Sequence, residues 1–267
     1  MSAGAEAVEG CRRPGWLLGM RGIFRLTWGG LLAWRRVPGL IALILLNPLL
    51  ATLALSAAPE EHLFRGFEMW LLRLYVSFMV PIACLISGGA MIRDELQAGT
   101  LGFLITRPLS RARLLLLKYL CHVFWLEVAL GLNVLLLAAG SVYLGVENGM
   151  AICWWLLGVQ SVIIPSYMAI SVVLGLVSKR YVMLGVLYGF VVEMGIGQIP
   201  SNINTISISR HFQSLLGYFS DLETGLDLPG WGVPGAVLAV VTINLLALGV
   251  GMLLFSLKEF QEDEAPK

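Results

Sequence analysis

The chain has 267 residues, of which 58% are hydrophobic and 13% charged, and its mean hydropathy is +0.83. A soluble domain has about 25% charged residues, so this composition excludes a soluble globular protein and predicts an integral membrane protein. The formal net charge of +1 is uninformative by itself, and we expect no nucleic-acid partner.

The N-terminal region is predicted to have two parts. Residues 1–15 lack the apolar core and small-residue cleavage site of a secretory signal, so we interpret them as a mature, poorly ordered tail. Between residues 16 and 36, four arginines share one helical stripe, and the large apolar side chains lie mostly off it. The four are Arg21, Arg25, Arg35 and Arg36. This pattern predicts an amphipathic helix in the inner membrane interface; the alternative is a helix that merely anchors the chain.

Six apolar segments are long enough to cross a bilayer, which takes about 20 residues. They are Val37–Ala58, Trp70–Ile92, Leu114–Leu144, Ala151–Val177, Val182–Ile199 and Val233–Leu257. Their apolar runs are continuous rather than alternating, and an open sheet could not satisfy its backbone in lipid. We therefore predict an all-α polytopic membrane protein. Its single transmembrane domain would contain a six-span bundle at residues 37–257 and a cytoplasmic tail at 258–267.

The basic residues predict the orientation of these spans. With the N-terminus inside, nearly all of the 18 Lys and Arg residues lie in cytoplasmic segments, and the outer side keeps only Arg65, Arg73 and Arg210. Cytoplasmic loops of membrane proteins are enriched in Lys and Arg. We therefore expect both termini in the cytoplasm.

The long outer segment at residues 200–232 contains one further helical pattern. Ile208, Phe212, Leu215, Leu216 and Phe219 recur at the spacing of one helix face. We predict a short helix that lies on the outer leaflet or dips into it.

The segment Arg93–Lys118, between the second and third spans, is a polar and basic interruption of an apolar chain. Leu96, Thr100 and Phe103 lie on one face of a short predicted helix, which Pro108 ends. Such an amphipathic element at the membrane surface could dock into a partner's groove. The alternative is an ordinary cytoplasmic loop whose arginines only set the topology.

The same segment resembles the signature region of ABC-2-type transporter permeases. The pattern is an acidic residue, Gly-Thr-Leu, two or three apolar residues, Thr-Arg-Pro-Leu-Ser-Arg, and a Lys that opens the next span. In this chain it consists of Glu95, Gly99, Thr100, Leu101, Thr106, Arg107, Pro108, Leu109, Ser110, Arg111 and Lys118. The plan of the chain is also similar, with an N-terminal interfacial helix, six spans, both ends inside and a half-inserted outer segment before the last span.

The resemblance implies partners and a location. Such permeases pair as two membrane subunits in the cell's inner membrane, so we expect a second copy of this chain and membrane lipids as partners. They bind two cytoplasmic ATPase subunits, and the first cytoplasmic loop is the coupling helix that enters the ATPase cleft. The resemblance thus assigns the ATPase contact to Asp94, Glu95, Gly99, Thr100, Leu101, Thr106, Arg107, Pro108 and Arg111.

The chain has no GxxxxGK[ST] loop, so we expect no ATP hydrolysis by the chain itself. The partner ATPase would bind ATP and Mg²⁺, and we expect no cofactor on this chain. Closure of the ATPases around nucleotide would push on Glu95–Arg111 and tilt the spans, giving alternating access and export of a substrate that the sequence does not identify.

Two ionisable residues lie well within predicted spans, Glu127 in the third and Glu193 in the fifth. A charge in lipid is costly, so such residues usually face a bundle interior or water. Both could line a translocation path; alternatively, each is protonated or hydrogen-bonded to a neighbouring helix. Four amide side chains are expected to form hydrogen bonds between helices, namely Asn47, Asn133, Gln160 and Asn244.

Small residues and prolines also lie within the spans. Gly185 and Gly189 form a GxxxG pattern, which lets helices approach closely. The pattern could mark a dimer seam or packing within the chain. Pro81 and Pro165 are expected to kink or break their helices.

Other functions remain open at this stage. No metal site is expected, because the three His and four Cys residues show no CxxC, HExxH or paired-ligand spacing. One alternative is the membrane subunit of an ABC-type machine that does mechanical or envelope-assembly work without export. An intramembrane enzyme is the weaker alternative, since GxSxG and HExxH are absent and Glu127 and Glu193 lie in different spans.

Overall fold

The computed structural model describes residues 22, 24–25, 27–29, 37–97, 110–195, 206–220 and 231–257. Among these residues the regular structure is helical throughout, without a strand. This confirms the predicted all-α class, because a chain this apolar can satisfy its backbone in lipid within helices.

The helices are numbered in chain order. They are α1 (Val37–Ser56), α2 (Leu63–Met69), α3 (Val80–Gln97), α4 (Arg111–Tyr143), α5 (Gly149–Val177), α6 (Tyr181–Tyr188), α7 (Ile208–Ser220) and α8 (Gly232–Leu257). A 3-10 turn at Glu60–His62 precedes α2. Two π-helical stretches, Trp70–Met79 and Gly189–Gly195, connect α2 to α3 and extend α6.

Five helices of the described residues are long and apolar enough to cross a membrane. They span Pro38–Ser56, Glu60–Asp94, Arg111–Tyr143, Gly149–Val177 and Gly232–Leu257. These five correspond to predicted spans one to four and six. The remaining predicted span, Val182–Ile199, is an apolar helix at Tyr181–Glu193 that falls below this length, so the structure supports a polytopic protein but not the count of six.

Helix α5 forms the centre of the bundle. It packs against α3, α4, α7 and α8, and it is the most deeply buried of the long helices. Helix α1 packs mainly on α4 and leaves Leu46, Leu49 and Leu53 more than half exposed. Helix α8 also exposes large apolar side chains, as expected of helices that face lipid or another subunit.

The four amides predicted to bond between helices all do so. The Asn47 amide donates to Asn133 Oδ1 at 3.0 Å, which joins α1 to α4. The Tyr75 hydroxyl donates to Gln160 Oε1 at 2.6 Å. The Tyr119 hydroxyl donates to Asn244 Oδ1 at 3.0 Å, which joins α4 to α8. In lipid each polar group needs a partner, because no water is there to supply one.

Asn133 also repairs a defect in α1. Pro48 lies inside α1 and has no N–H, so the carbonyl of Ile44, one turn earlier, loses its intrahelical donor. The Asn133 amide donates to Leu43 O at 2.8 Å and to Ile44 O at 3.2 Å. The polar side chain of α4 therefore supplies the hydrogen bond that the proline removes.

Pro81 is the second residue of α3, which follows the π-helical stretch Trp70–Met79. Wider π turns are a common way for a helix to accommodate a missing N–H. Within this stretch the Ser77 hydroxyl donates to Leu72 O at 2.7 Å and accepts from the Gln213 amide at 2.9 Å. The expected irregularity at Pro81 is thus a change in helix type upstream of the proline.

The predicted outer helix exists as α7, but the bundle covers its apolar face. Ile208, Phe212, Leu215 and Leu216 are buried, and α7 packs against α5 and α8. Phe219 stacks on Trp155 of α5 with ring centroids 4.7 Å apart. The apolar face of α7 thus packs against the bundle, and the position of α7 relative to the outer leaflet stays a prediction.

The described residues between 22 and 29 are helical, which agrees with the amphipathic helix predicted for residues 16–36. The ring of Trp28 lies 5.0 Å from Trp125 and 5.9 Å from Phe124, both on α4. These ring contacts place Trp28 against α4, and the position of this segment in the membrane interface stays a prediction.

Candidate functional site

The site predicted from sequence lies where α3 ends at Gln97 and α4 begins at Arg111. The same end of the bundle, called here the α3–α4 end, includes the last turn of α5 and the start of α6, because Arg93 of α3 donates to Gly175 of α5 and Gly89 of α3 lies against Tyr181 of α6. Basic residues collect there: Arg93, Arg111, Arg113, Lys118, Lys179 and Arg180. Arg65, Arg73 and Arg210 lie toward the opposite end, so the described helices keep the charge asymmetry found in the sequence.

The described residues include three of the nine predicted contact residues. Asp94 is half-buried near the end of α3, Glu95 lies in the last turn of α3, and Arg111 is half-buried at the start of α4. The other six, Gly99, Thr100, Leu101, Thr106, Arg107 and Pro108, lie outside the described residues. Residues 98–109 are called the connecting segment below.

Ser110 fixes the start of α4. Its backbone is extended, with φ −64° and ψ 143°, and its hydroxyl accepts a hydrogen bond from the Arg113 N–H at 3.4 Å. Serine is among the best N-cap residues, because it satisfies one of the N–H groups that the first turn leaves free. Within the sequence pattern, Ser110 therefore has a local role: it caps the start of α4.

Arg93 is the functional candidate that the sequence did not single out. Its side chain is 7% exposed, and its Nε donates to the carbonyl of Gly175 at 2.9 Å. Gly175 lies in the last turn of α5, where carbonyls lack intrahelical donors. An arginine there satisfies the carbonyl and also favours the negative end of the helix dipole. In the sequence Arg93 was one basic residue among many at a predicted cytoplasmic end.

Backbone contacts surround this hydrogen bond. A Cβ on Gly175 would lie 2.6 Å from the carbonyl oxygen of Gly89, and a Cβ on Gly88 would lie 2.7 Å from the Cβ of Ser171 and 3.0 Å from the carbonyl oxygen of Met168. A Cβ on Gly89 would overlap the ring of Tyr181. Tyr181 also lies within electrostatic range of Arg93 and Asp94. Helices α3, α5 and α6 are therefore in direct contact at this end.

Glu193 is held by its own chain. The hydroxyls of Tyr188 and Ser207 donate to its carboxyl oxygens at 3.0 and 2.7 Å. The N–H groups of Ile208 and Ser209 donate to it at 3.3 and 3.0 Å. These two N–H groups belong to the first turn of α7, so Glu193 caps that helix from a distance. Its contacts fit the hydrogen-bonding alternative; a role in a translocation path stays a prediction.

Glu127 has a different environment. It is half-buried on α4, and its Oε1 is buried and accepts no hydrogen bond from any residue that the structure describes. It lies close enough to Tyr75 and Cys84 to act on both electrostatically. Within the described residues the two carboxyl groups, Glu127 and Glu193, make no contact with each other, so they are not brought together as paired acids.

The two glycines of the GxxxG pattern differ. Gly185 is buried, and a Cβ there would overlap the side chain of Leu85 on α3. Gly189 is half-buried, and a Cβ there would meet no atom within 4 Å. Gly185 therefore serves packing within the chain, and only Gly189 has an open side; a dimer seam at this pattern stays a prediction.

The described residues contain no group of three or more His, Cys, Asp or Glu side chains that could hold a metal ion. Cys84, Cys121 and Cys153 are buried free thiols on separate parts of the helices.

Comparison with known proteins adds one finding. Residues 34–196 match the family model described as ABC-2 family transporter protein. The match covers well over half of the 267 residues and includes α1 to α6 and the connecting segment. No curated protein matches the chain.

Proposed function

This chain belongs to the ABC-2 family of transporter proteins, and on that premise we propose that it is the transmembrane permease subunit of an ATP-binding-cassette transporter. A separate ATPase polypeptide hydrolyses ATP with Mg²⁺. The permease converts the resulting movement into export or translocation of a substrate across the inner membrane.

The observation that carries this proposal is the extent of the family match. It runs through both helices that flank the connecting segment and through the segment itself. The sequence there contains Glu95, Gly99–Leu101 and Thr106–Arg111, and the chain has no nucleotide-binding loop of its own. A permease without an ATPase motif needs a partner that has one.

The geometry of the α3–α4 end supports the same proposal. Basic side chains are grouped there, and cytoplasmic ends of membrane proteins are rich in Lys and Arg. We therefore assign this end and both termini to the cytoplasm. An ATPase bound there would contact Asp94, Glu95 and Arg111 together with the connecting segment, and a second permease copy would complete the complex with two ATPases.

Movement of the connecting segment would act on two helices at once. It follows α3 directly and precedes the capped start of α4. Closure of the ATPases around nucleotide would displace both helix ends, and the long helices would tilt as rigid rods. Alternating access of a path between the two permease copies follows from such a tilt.

Co-purification tests the proposal. A tagged chain solubilised in mild detergent from its native membranes should bring down an ATPase, and the complex should hydrolyse ATP. Arg111→Glu should reduce the amount of bound ATPase about tenfold or more, since charge reversal at an interface typically costs more than 1.4 kcal/mol. Arg65→Glu is the matched control, because Arg65 is an exposed arginine of α2 near the opposite end.

Comparing Arg111→Glu with Arg65→Glu shows whether the ATPase contact lies at the α3–α4 end. Loss of ATPase in Arg111→Glu with normal binding in Arg65→Glu supports an ATPase contact at the α3–α4 end. An unmodified chain that never associates with an ATPase would refute the proposed function.

A further inference from the structure

Arg93 and its neighbours form a direct link between the end of α3 and two other helices. The Arg93 side chain is buried, although arginine is almost never fully buried without a partner. Its hydrogen bond reaches Gly175 in the last turn of α5. Arg93 lies one helical turn before Gln97, where α3 ends and the connecting segment follows.

The contact between α3 and α5 involves two residues on the same face of α3. Gly89 and Arg93 are four residues apart and lie on one face of α3. Both meet Gly175, one through its backbone carbonyl and the other through its guanidinium. At Gly89 and Gly175 the two backbones meet directly, so the helices cannot approach more closely there without a clash.

Tyr181 extends the link to α6. Its ring covers Gly89 on the side of α3 that faces the start of α6. Tyr181 follows α5 after a connection of only three residues, Ser178–Arg180. The last turn of α3, the last turn of α5 and the first turn of α6 therefore meet around Arg93 and Gly89.

We propose that Arg93 is the positioning residue through which displacement of the connecting segment reaches α5, the central helix of the bundle. This inference rests on the proposed function, since it needs an ATPase that displaces the segment. When α3 is displaced, the Arg93 guanidinium moves with it. Because the guanidinium is bonded to Gly175, the end of α5 is displaced as well. The Gly88–Gly89 contact with Ser171 and Gly175 keeps the two helices in step.

The test measures movement at the far end of α5 in the assembled complex. Met150 lies in the first turn of α5 and is 51% exposed. A fluorophore on Met150→Cys, in a background with Cys11→Ser, reports this position in proteoliposomes. ATP with vanadate supplies the trapped nucleotide state. The labelled complex with Arg93 unchanged should show a nucleotide-dependent change in fluorescence emission.

Arg93→Ala should leave the amount of bound ATPase at the level of the unmodified complex. It should reduce the emission change about fivefold or more, since about fivefold is the lower end of typical coupling between two sites. Arg93→Lys retains a donor but not the fork of the guanidinium, so an intermediate response is expected. Gly175→Ala should also weaken the response, because its Cβ would press on the Gly89 carbonyl.

Gly158→Ala is the matched control on the same helix, since a Cβ at Gly158 would meet no atom within 4 Å. It should respond like the unmodified complex. A full emission change in Arg93→Ala, with normal ATPase binding, would overturn the inference while leaving the proposed function intact. Should Arg93→Ala fail to fold, a full response in both Arg93→Lys and Gly175→Ala would overturn it equally. Failure of the unmodified chain to bind an ATPase would instead remove the proposed function itself.

Discussion

At the scale of single residues, buried polar side chains of this protein act on backbone groups that the helices leave free. Arg93 donates to a terminal carbonyl of α5, and Asn133 donates to two carbonyls of α1 near Pro48. Glu193 accepts from two terminal N–H groups of α7. Since lipid offers no hydrogen bonds, a free backbone group in a span has to find a protein partner.

Glu193 gives a testable consequence for stability. Glu193→Ala removes the acceptor for four donors, two of them backbone N–H groups of α7, and leaves them buried. A buried unsatisfied group costs about 1–3 kcal/mol, so we expect the apparent Tm of the purified chain in detergent to fall by about 3–8 °C. Glu193→Gln keeps one carbonyl oxygen and should lose less.

The control for this measurement is Glu60→Ala, since Glu60 is an exposed acidic residue in the 3-10 turn. Its Tm should stay within about 2 °C of the unmodified chain. An equal, small effect of Glu193→Ala and Glu60→Ala would show that the cap on α7 contributes nothing to stability.

Asn133 and Pro48 should be energetically coupled. Asn133→Leu leaves the Ile44 carbonyl without a donor and should destabilise the chain by about 1–2 kcal/mol. Pro48→Ala restores an N–H to α1, so the same Asn133→Leu change should then be milder. Thermal unfolding of the two single variants and the double variant measures this as a cycle. Additive effects would mean that Asn133 does not replace the hydrogen bond lost at Pro48.

Sequence reasoning at this scale succeeded where one residue determines the answer. An amide inside a span must find a partner, and so Asn47, Asn133, Gln160 and Asn244 were recognised. It failed where the partner depends on tertiary structure. The partners of Glu193 at Ser207 and Ser209 are separated from it by residues with no periodic pattern, and the partner of Arg93 is Gly175 on α5, 82 residues along the chain.

At the scale of elements, the middle of a helix can be predicted from its apolar content, but its ends cannot. The apolar runs gave four of the five spans within three residues of their observed bounds, whereas the second helix begins at Glu60, ten residues before the predicted Trp70. Helix α4 begins three residues earlier than predicted, because Arg111 and Arg113 belong to its first turn and Ser110 caps it. Apolar content alone could not locate this start, since the first turn of α4 is basic.

The cap of α4 can be tested by two substitutions at one position. Ser110→Ala removes the side-chain acceptor and should destabilise the first turn by about 1 kcal/mol, seen as faster amide hydrogen exchange at Arg113. Ser110→Asp keeps an acceptor and should restore protection. Equal protection in the Ala and Asp variants would contradict the role of Ser110 as a cap.

The outer helix α7 shows what pattern analysis leaves open at this scale. The spacing of Ile208, Phe212, Leu215 and Leu216 predicted a helix with one apolar face, and the structure has that helix. A periodic pattern does not say whether lipid or protein covers the face. Here α5 and α8 cover it, and Gln213 adds a hydrogen bond to Ser77 in the π-helical stretch before α3.

At the scale of the whole molecule, the protein is a buried central helix with apolar helices around it. Helices α1, α6 and α8 keep exposed Leu, Val and Phe side chains along much of their length. Charged side chains concentrate toward the two ends, with the basic excess at the α3–α4 end. This arrangement fits a polytopic membrane subunit of the ABC-2 family.

The most direct measurement locates the connecting segment and identifies its neighbour. Thr100→Cys, in a chain whose other cysteines are replaced, should resist a membrane-impermeant maleimide in intact cells and react after permeabilisation. Ser56→Cys lies at the C-terminal end of α1, which we assign to the outer side of the membrane, and should react in intact cells. A cross-linker on Thr100→Cys should capture an ATPase polypeptide. Labelling of Thr100→Cys from outside intact cells would contradict the account, because the segment would then lie on the side of the membrane that has no ATP.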